Sequence, residues 1–234
     1  MKYKRLGVLG GMGPKATAVF FDKVIENTRA QTDQEHIDMV ILNHASLPDR
    51  TRVILNKQEE LFLSAIEKDL KLLEYAQVAH IAIPCNTAHY FYDQLQAKTD
   101  IPIIHMVAET VQKLYSKYGA KSKIGILATN GTIQSGIYAQ ECAKYGMELH
   151  VPIQTLQNQI MNIIYENIKR DLPVDIGQLE AIIEELIDKE QCQGIIIACT
   201  ELSCVQLGEK TASYCTDAMQ VLVERAIHLS QEVH

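Results

Sequence analysis

Apolar residues along this chain fall into two alternating patterns. Short apolar runs closed by glycine or polar turns read as buried strands, and longer stretches with apolar positions every three or four residues read as amphipathic helices. Leu6–Leu9 is the first strand and Lys15–Thr28 the first helix; Ile37–Leu42 and Glu59–Tyr75 follow as the second pair. Val78–Ile83 and Thr87–Ala97 make a third pair, and Ile103 with Ile104 marks a fourth short strand. The alternation resumes at Ile124–Leu127 and runs to Ile195–Ala198. Strand–helix alternation of this kind predicts an α/β protein, its parallel strands buried on both faces by helices.

The two halves resemble each other. Leu6-Gly7-Val8-Leu9 is matched by Ile124-Gly125-Ile126-Leu127 at an offset of 118 (6 to 124), and Pro84-Cys85-Asn86-Thr87 by Ala198-Cys199-Thr200-Glu201 at an offset of 114 (85 to 199). Two near-equal offsets, each on a strand ending in a polar turn, predict an internal repeat. The expected architecture is two pseudo-symmetric lobes, each a parallel sheet flanked by helices, with the active site in the cleft between them. No Pro- or Ser-rich tether separates the halves, so residues 106–118 are expected to cross between them as a helix.

Composition narrows the function. The net charge of −7 comes without a basic block, which argues against a nucleic-acid partner. An anionic ligand would need one or two placed cations, or helix N-termini. No run approaches the ~18 apolar residues of a membrane span, and Met1–Arg5 leads into the first strand without an apolar leader, so a cytoplasmic protein is expected. The six cysteines (85, 142, 192, 199, 204 and 215) form no Cys-x-x-Cys pair, and no histidines have zinc-type spacing. Reduced thiols, no metal and no disulfide framework are therefore expected.

Three features carry candidate chemistry. Gly10-Gly11-Met12-Gly13 contains a Gly-x-Gly-x-x-Ala pattern at Gly11, Gly13 and Ala16, but the second strand ends in Asn43-His44 rather than an acidic residue, and Pro14 stands where a dinucleotide site needs a free N–H. A tight turn allowing close backbone approach is the better reading. The second feature is the cysteine pair. Cys85 and Cys199 each follow an apolar strand and precede what reads as a helix start, where ligands bind in open parallel sheets and where the helix dipole is expected to lower a thiol pKa. Two thiols facing one cleft suit inversion of a stereocentre, one removing a proton and the other returning it to the opposite face. Asn86, Thr87, Thr132 and Thr200, with backbone N–H groups at helix starts, are candidates to hold a substrate carboxylate. Third, Pro48-Asp49-Arg50-Thr51 reads as a loop after strand two, where the Arg50 guanidinium can grip a side-chain carboxylate at two points. Cys142 and Cys204 look like helix-face positions, and His44 and His89, near the presumed cleft, read as structural.

In this order, Gly7-Val8-Leu9-Gly10-Gly11-Met12-Gly13-Pro14, Pro48-Asp49-Arg50-Thr51, Pro84-Cys85-Asn86-Thr87-Ala88-His89, Leu127-Ala128-Thr129-Asn130-Gly131-Thr132 and Ala198-Cys199-Thr200-Glu201 resemble the aspartate/glutamate racemase superfamily, aspartate racemases in particular. The resemblance implies cofactor-independent racemisation of an acidic amino acid, without pyridoxal phosphate, metal or nucleotide, often by a homodimer. It implies a first lobe of residues 1–105 plus 217–234, the last helix (about Ala218–Ser230) returning to it, and a second lobe of 106–216. By the same resemblance Cys85 would be the base for the D-enantiomer and Cys199 for the L-enantiomer, with Met12, Arg50, Asn86, Thr87, Thr132, Gln159, Thr200 and Glu201 around the substrate.

One departure bears on specificity. Members specific for acidic substrates carry a basic residue early in the helix here written Thr155–Met161, where this chain has Asn158 and Gln159, with Lys169 three turns further on. The acidic-substrate expectation therefore rests mainly on Arg50. Two alternatives stay open: a maleate isomerase or hydantoin racemase using the same cysteines, and a non-catalytic two-lobed small-molecule sensor.

Overall fold

The computed structural model describes residues 3–231, whose strands form two parallel sheets. The first sheet contains β1 (Leu6–Gly10), β2 (Met39–Asn43) and β3 (His80–Ala82) in the order β2-β1-β3. The second contains β4 (Lys123–Ala128), β5 (Glu148–His150), β6 (Gly194–Ala198) and β7 (Cys215–Asp217) in the order β5-β4-β6-β7.

The register reproduces the repeat. Leu6 pairs with His80 in the first sheet and Ile124 with Gly194 in the second, so the pairing maps across under offsets of 118 (6 to 124) and 114 (80 to 194). The equivalent of β7 is a single bridge, Ile81 to Ile103, matching Ile195 to Cys215. The fourth strand expected at Ile103–Ile104 is thus reduced to that bridge. The second and third strands are shorter than the apolar runs that announce them, because Ile37 and Ile83 are buried by packing outside the ladders.

Helices cover both faces of each sheet. They are α1 (Pro14–Asn27), α2 (Arg50–Leu55), α3 (Glu59–Tyr75), α4 (Tyr92–Gln96) and α5 (Met106–Tyr118), then α6 (Asn130–Ser135), α7 (Ile137–Lys144), α8 (Gln154–Asn162), α9 (Ile176–Asp188), α10 (Glu209–Tyr214) and α11 (Ala218–Gln231). Alternation along the strands divides the core. Leu6, Val8 and Ala82 face α1 and α11, packing with Phe20, Val24 and Leu222, whereas Leu9, Ile81 and Ile83 face α3, packing with Phe62, Ile66 and Leu70. In the second sheet Ile124, Ile126 and Ile196 pack with Val107 and Leu114 of α5, while Leu127, Ile195 and Ile197 pack with Ile160, Ile182 and Ile183. Helix α11 packs on α1 and β3 as well as on α5 and β7, so it ties the two sheets together.

Two local departures from the sequence pattern shape the cleft. Thr87–Ala97 is not one helix but a 3₁₀ turn (Thr87–Phe91) leading into α4. The cause is His89, whose ring Nδ1 donates to the Cys85 carbonyl at 2.9 Å, the acceptor an α-helical N–H of residue 89 would use; its own N–H bonds Asn86 O at 3.0 Å instead. Likewise Pro48-Asp49-Arg50-Thr51 is a helix start rather than an open loop. Asp49 caps α2, accepting from Arg52 N at 2.9 Å, and Arg50 and Thr51 are its first residues.

Candidate active site

The ends of β1, β3, β4 and β6 converge on one small pocket lined by residues of both halves. Cys85 and Cys199, each beyond the C-terminal end of its strand, both line it. Met12 enters from the turn after β1, and Asn86, Thr87, Thr200 and Glu201 follow their respective cysteines. The turn itself is tight for a steric reason: Gly11 has φ of +91°, and a Cβ there would lie 2.4–2.5 Å from the His44 backbone.

Hydroxyls weld the lobes behind this pocket. Thr87 Oγ1 lies 3.0 Å from Thr129 Oγ1 and 2.8 Å from Thr132 Oγ1, and Thr200 Oγ1 donates to Pro84 O at 3.1 Å. Thr132 is buried within this triangle and does not line the pocket itself, which places it one layer behind its expected position. Tyr165 donates to Asp49 Oδ2 at 3.2 Å and so bridges the halves beside the cleft. At the outer edge Lys15 of α1 pairs with Asp171 across the mouth.

The charges are arranged around the thiols. Arg50 is buried and its Nη1 donates to Pro48 O at 2.9 Å, which holds the guanidinium in place; its Nε has no partner among the described residues. Lys169 also lines the pocket, and its Nζ donates to Glu201 Oε1 at 2.6 Å. Burial alone would lower the Lys169 pKa, but the charge and hydrogen bond of Glu201 more than offset it and hold the ammonium above its ordinary value. The other Glu201 oxygen, Oε2, accepts from Cys199 Sγ at 3.1 Å. A Lys169–Glu201–Cys199 chain of contacts therefore reaches into the pocket.

The expectation of dipole-activated thiols is overturned. Burial pushes the Cys85 thiol up, with the Arg50 guanidinium pulling the other way; burial also pushes Cys199 well up, and Glu201 adds to it by charge and hydrogen bond. Only short 3₁₀ turns (Thr87–Phe91 and Leu202–Cys204) follow the two cysteines, so there is no long helix dipole to set against desolvation. Desolvation thus favours the protonated form of both thiols.

One further expectation is corrected and another is extended. Gln159 is exposed and lies off the pocket; the buried amide of α8 is Gln157, which donates to Ala128 O and Asn130 Oδ1, both at 2.9 Å. The acidic-substrate expectation, which rests mainly on Arg50, gains a second pocket cation in Lys169. After α8 the chain passes through a π turn (Ile163–Asn167) and a 3₁₀ turn (Ile168–Arg170). The extra residue in the π turn rotates the next turn by about 100° relative to a regular helix, so α-helical spacing misplaces Lys169. The spacing of Tyr165 and Lys169 was the available signal: they lie four apart, and the ammonium sits 5.4 Å from the Tyr165 ring centroid. His89 is structural, as expected, with its Nε2 accepting from Met106 N at 3.2 Å and burial lowering its pKa to about 4. His44 likewise sits 2.7 Å from Asp69 Oδ2.

The chain is similar to known proteins in sequence and in fold. A family profile described as Asp/Glu/Hydantoin racemase matches residues 9–226. The chain is 32% identical over 206 residues to the broad specificity amino-acid racemase RacX of Bacillus subtilis, spanning 86% of each protein. Among solved structures, the aspartate racemase of Picrophilus torridus superposes with a TM-score of 0.79 at 28% identity, covering 97% of this chain and 94% of that one. An aspartate racemase homologue from Pyrococcus horikoshii, at 22% identity, shares the fold with a TM-score of 0.78 over 98% of this chain and all 100% of its own.

Proposed function

The chain belongs to the Asp/Glu/Hydantoin racemase family, and from that premise we propose that it racemises an acidic amino acid, aspartate first, without a cofactor, using Cys85 and Cys199 as the two proton-transferring groups. The observation that carries the reading is the single pocket in which both thiols meet unsatisfied anion-binding donors. Arg50 Nε and Asn86 Nδ2 are buried without partners among the described residues, and both residues line the pocket with the cysteines. A buried donor left unpaired costs about 1–3 kcal/mol, which a bound carboxylate relieves.

In this reading Asn86 and the backbone N–H groups near it hold the α-carboxylate, and Arg50 with Lys169 receives the side-chain carboxylate. One thiolate takes the α-proton as the opposite thiol delivers one to the other face of the carbon; the electron pair left at Cα is spread into the α-carboxylate, where the donors stabilise it. Each turn leaves one cysteine protonated and the other ionised, and reversal restores the start. Arg50 favours the ionised form of Cys85, whereas Glu201, accepting from the sulfur at 3.1 Å, favours the protonated form of Cys199.

A second reading, broad specificity, is favoured by one observation. Glu201 already engages Lys169 at 2.6 Å, which leaves Arg50 as the pocket cation without a carboxylate partner among the described residues. The named activity of the Bacillus subtilis relative supports this reading too. Incubating D- and L-forms of aspartate, glutamate, asparagine and alanine in deuterated water, with α-deuterium incorporation and enantiomer ratio followed together, tests both. Exchange and inversion confined to the acidic pair supports the first reading, and equal rates on all four support the second. No exchange on any amino acid would sink both.

A further inference from the structure

We infer that Tyr138 is a positioning residue: from the second half of the chain its hydroxyl fixes the Asn86 amide with the nitrogen facing the pocket, ready to donate to the substrate α-carboxylate. The ligand's identity rests on the racemase reading above; the orientation rests on geometry. Tyr138 lies in α7, is 1% exposed and is not among the pocket-lining residues. Its phenol donates to Asn86 Oδ1 at 2.6 Å, across 52 residues of sequence. Asn86 is 2% exposed and lines the pocket, and its Nδ2 finds no partner.

An asparagine amide has two faces of similar shape and opposite hydrogen-bonding sense, so its neighbours decide which faces inward. The Thr110 hydroxyl, beside the phenol, gives its proton to Met106 O at 2.7 Å. The Tyr138 proton is directed at Asn86 Oδ1. With Oδ1 engaged, Nδ2 is the amide atom left without a partner, in a residue that lines the pocket together with Arg50 and Lys169. The flipped amide would present an oxygen to the same anion and repel it. Tyr138 thus determines the sign of the Asn86 dipole toward the substrate without touching it.

A double-mutant cycle separates this role from plain packing. Tyr138→Phe keeps the ring and removes only the hydroxyl; kcat/KM for aspartate should fall by roughly 2- to 10-fold, the span of one neutral hydrogen bond. Asn86→Ala should fall by roughly 10- to 100-fold, as for a bond to a charged group. The double variant should match Asn86→Ala within about twofold, because Tyr138 has nothing left to orient. If Tyr138→Phe instead costs its full factor on the Asn86→Ala background, the residue acts elsewhere and the inference fails. Asn86→Asp, which retains the oxygen that Tyr138 donates to, should fold and bind dicarboxylates more than about 10-fold more weakly; undiminished binding would also overturn it. Calorimetry with succinate repeats the cycle without turnover. Non-additive succinate binding with no racemisation of any amino acid would uphold Tyr138 and reject the reaction; racemisation with an additive cycle would do the reverse. Neither binding nor turnover in the unmodified protein would overturn both.

Discussion

Replacing Glu201 by Gln should make the Cys199 thiol substantially more reactive. The carboxylate lies 3.1 Å from Cys199 Sγ and is buried, as is the thiol. It accepts the S–H proton and repels a thiolate, and both effects keep the sulfur protonated. A hydrogen bond to a charged acceptor is worth about 1.5–3 kcal/mol, and each ~1.4 kcal/mol is tenfold in an ionisation equilibrium. Removing the charge should therefore raise the thiolate fraction at neutral pH by roughly 10- to 100-fold. Lys169 pushes in the same direction, because losing its partner at 2.6 Å leaves an uncompensated ammonium in the pocket. The assay is iodoacetamide alkylation near pH 7.5, with each cysteine followed by peptide mass spectrometry. Gln and Glu are nearly isosteric, so access to the pocket is matched and the rate ratio reports ionisation. Cys142 and Cys192, which burial raises to about 11 outside the pocket, are internal controls whose rates should not change. A Cys199 rate that stays constant or falls in Glu201→Gln would refute the electrostatic account of this site.

Arg50→Ala should lower kcat/KM for aspartate by roughly 10- to 150-fold, the worth of a charge-assisted hydrogen bond, and lower it little for alanine; an equal loss on both would reassign Arg50 to the α-carboxylate or to structure. His89, buried and lowered to about 4, stays neutral in the folded protein while the unfolded chain protonates near 6.5. Its contribution of about 3 kcal/mol is present above pH 6.5 and is lost as pH falls from there to about 4. Urea midpoints should fall over that window and the fall should flatten in His89→Asn; an unchanged slope would contradict it. Gly131→Ala would put a Cβ 2.8 Å from the Thr51 Cα, forcing α6 away from the start of α2, which carries Arg50. We expect a destabilisation of about 1–3 kcal/mol, as for overpacking elsewhere, together with lower turnover; a variant with unaltered melting temperature and activity would show that the cleft walls give way freely.

The repeat was legible because burial on both faces leaves an apolar run at each strand, and the two sets of runs share offsets that the ladder register reproduces. The cysteines were legible for the same reason, standing at equivalent strand ends. Their surroundings were less so. A side chain that reaches the pocket from a regular strand end, such as Asn86 or Thr200, is located by counting along the strand. Lys169 arrives through a π turn and a 3₁₀ turn, whose phase a 3.6-residue period does not carry, and Gln159 entered by resemblance alone. The thiol pKa was misjudged because helix starts can be read from sequence while their length and the depth of burial cannot. The hydrogen bond of Tyr138 to Asn86 links residues 52 apart through tertiary packing alone, and no local pattern announces it.

The halves repeat, but the thiols are not equivalent. Two residues after Cys85 stands Thr87, bonded to Thr129 and Thr132; two residues after Cys199 stands Glu201, bonded to the thiol itself and to Lys169. Arg50 favours ionisation of one sulfur and Glu201 opposes ionisation of the other. For the proposed reaction this inequality has a limited range of consequences. Mirror-image amino acids have equal free energies in water, so the equilibrium constant is one and kcat/KM must be the same in both directions, however different the two bases are. Asymmetry can appear only in kcat and KM separately, or in how readily each enantiomer exchanges its α-proton before inversion. Glu201 therefore cannot make the protein a one-way catalyst. It can set which enantiomer binds more tightly and which proton transfer limits turnover, and the pseudo-symmetric scaffold leaves that choice to the residue two places after each cysteine.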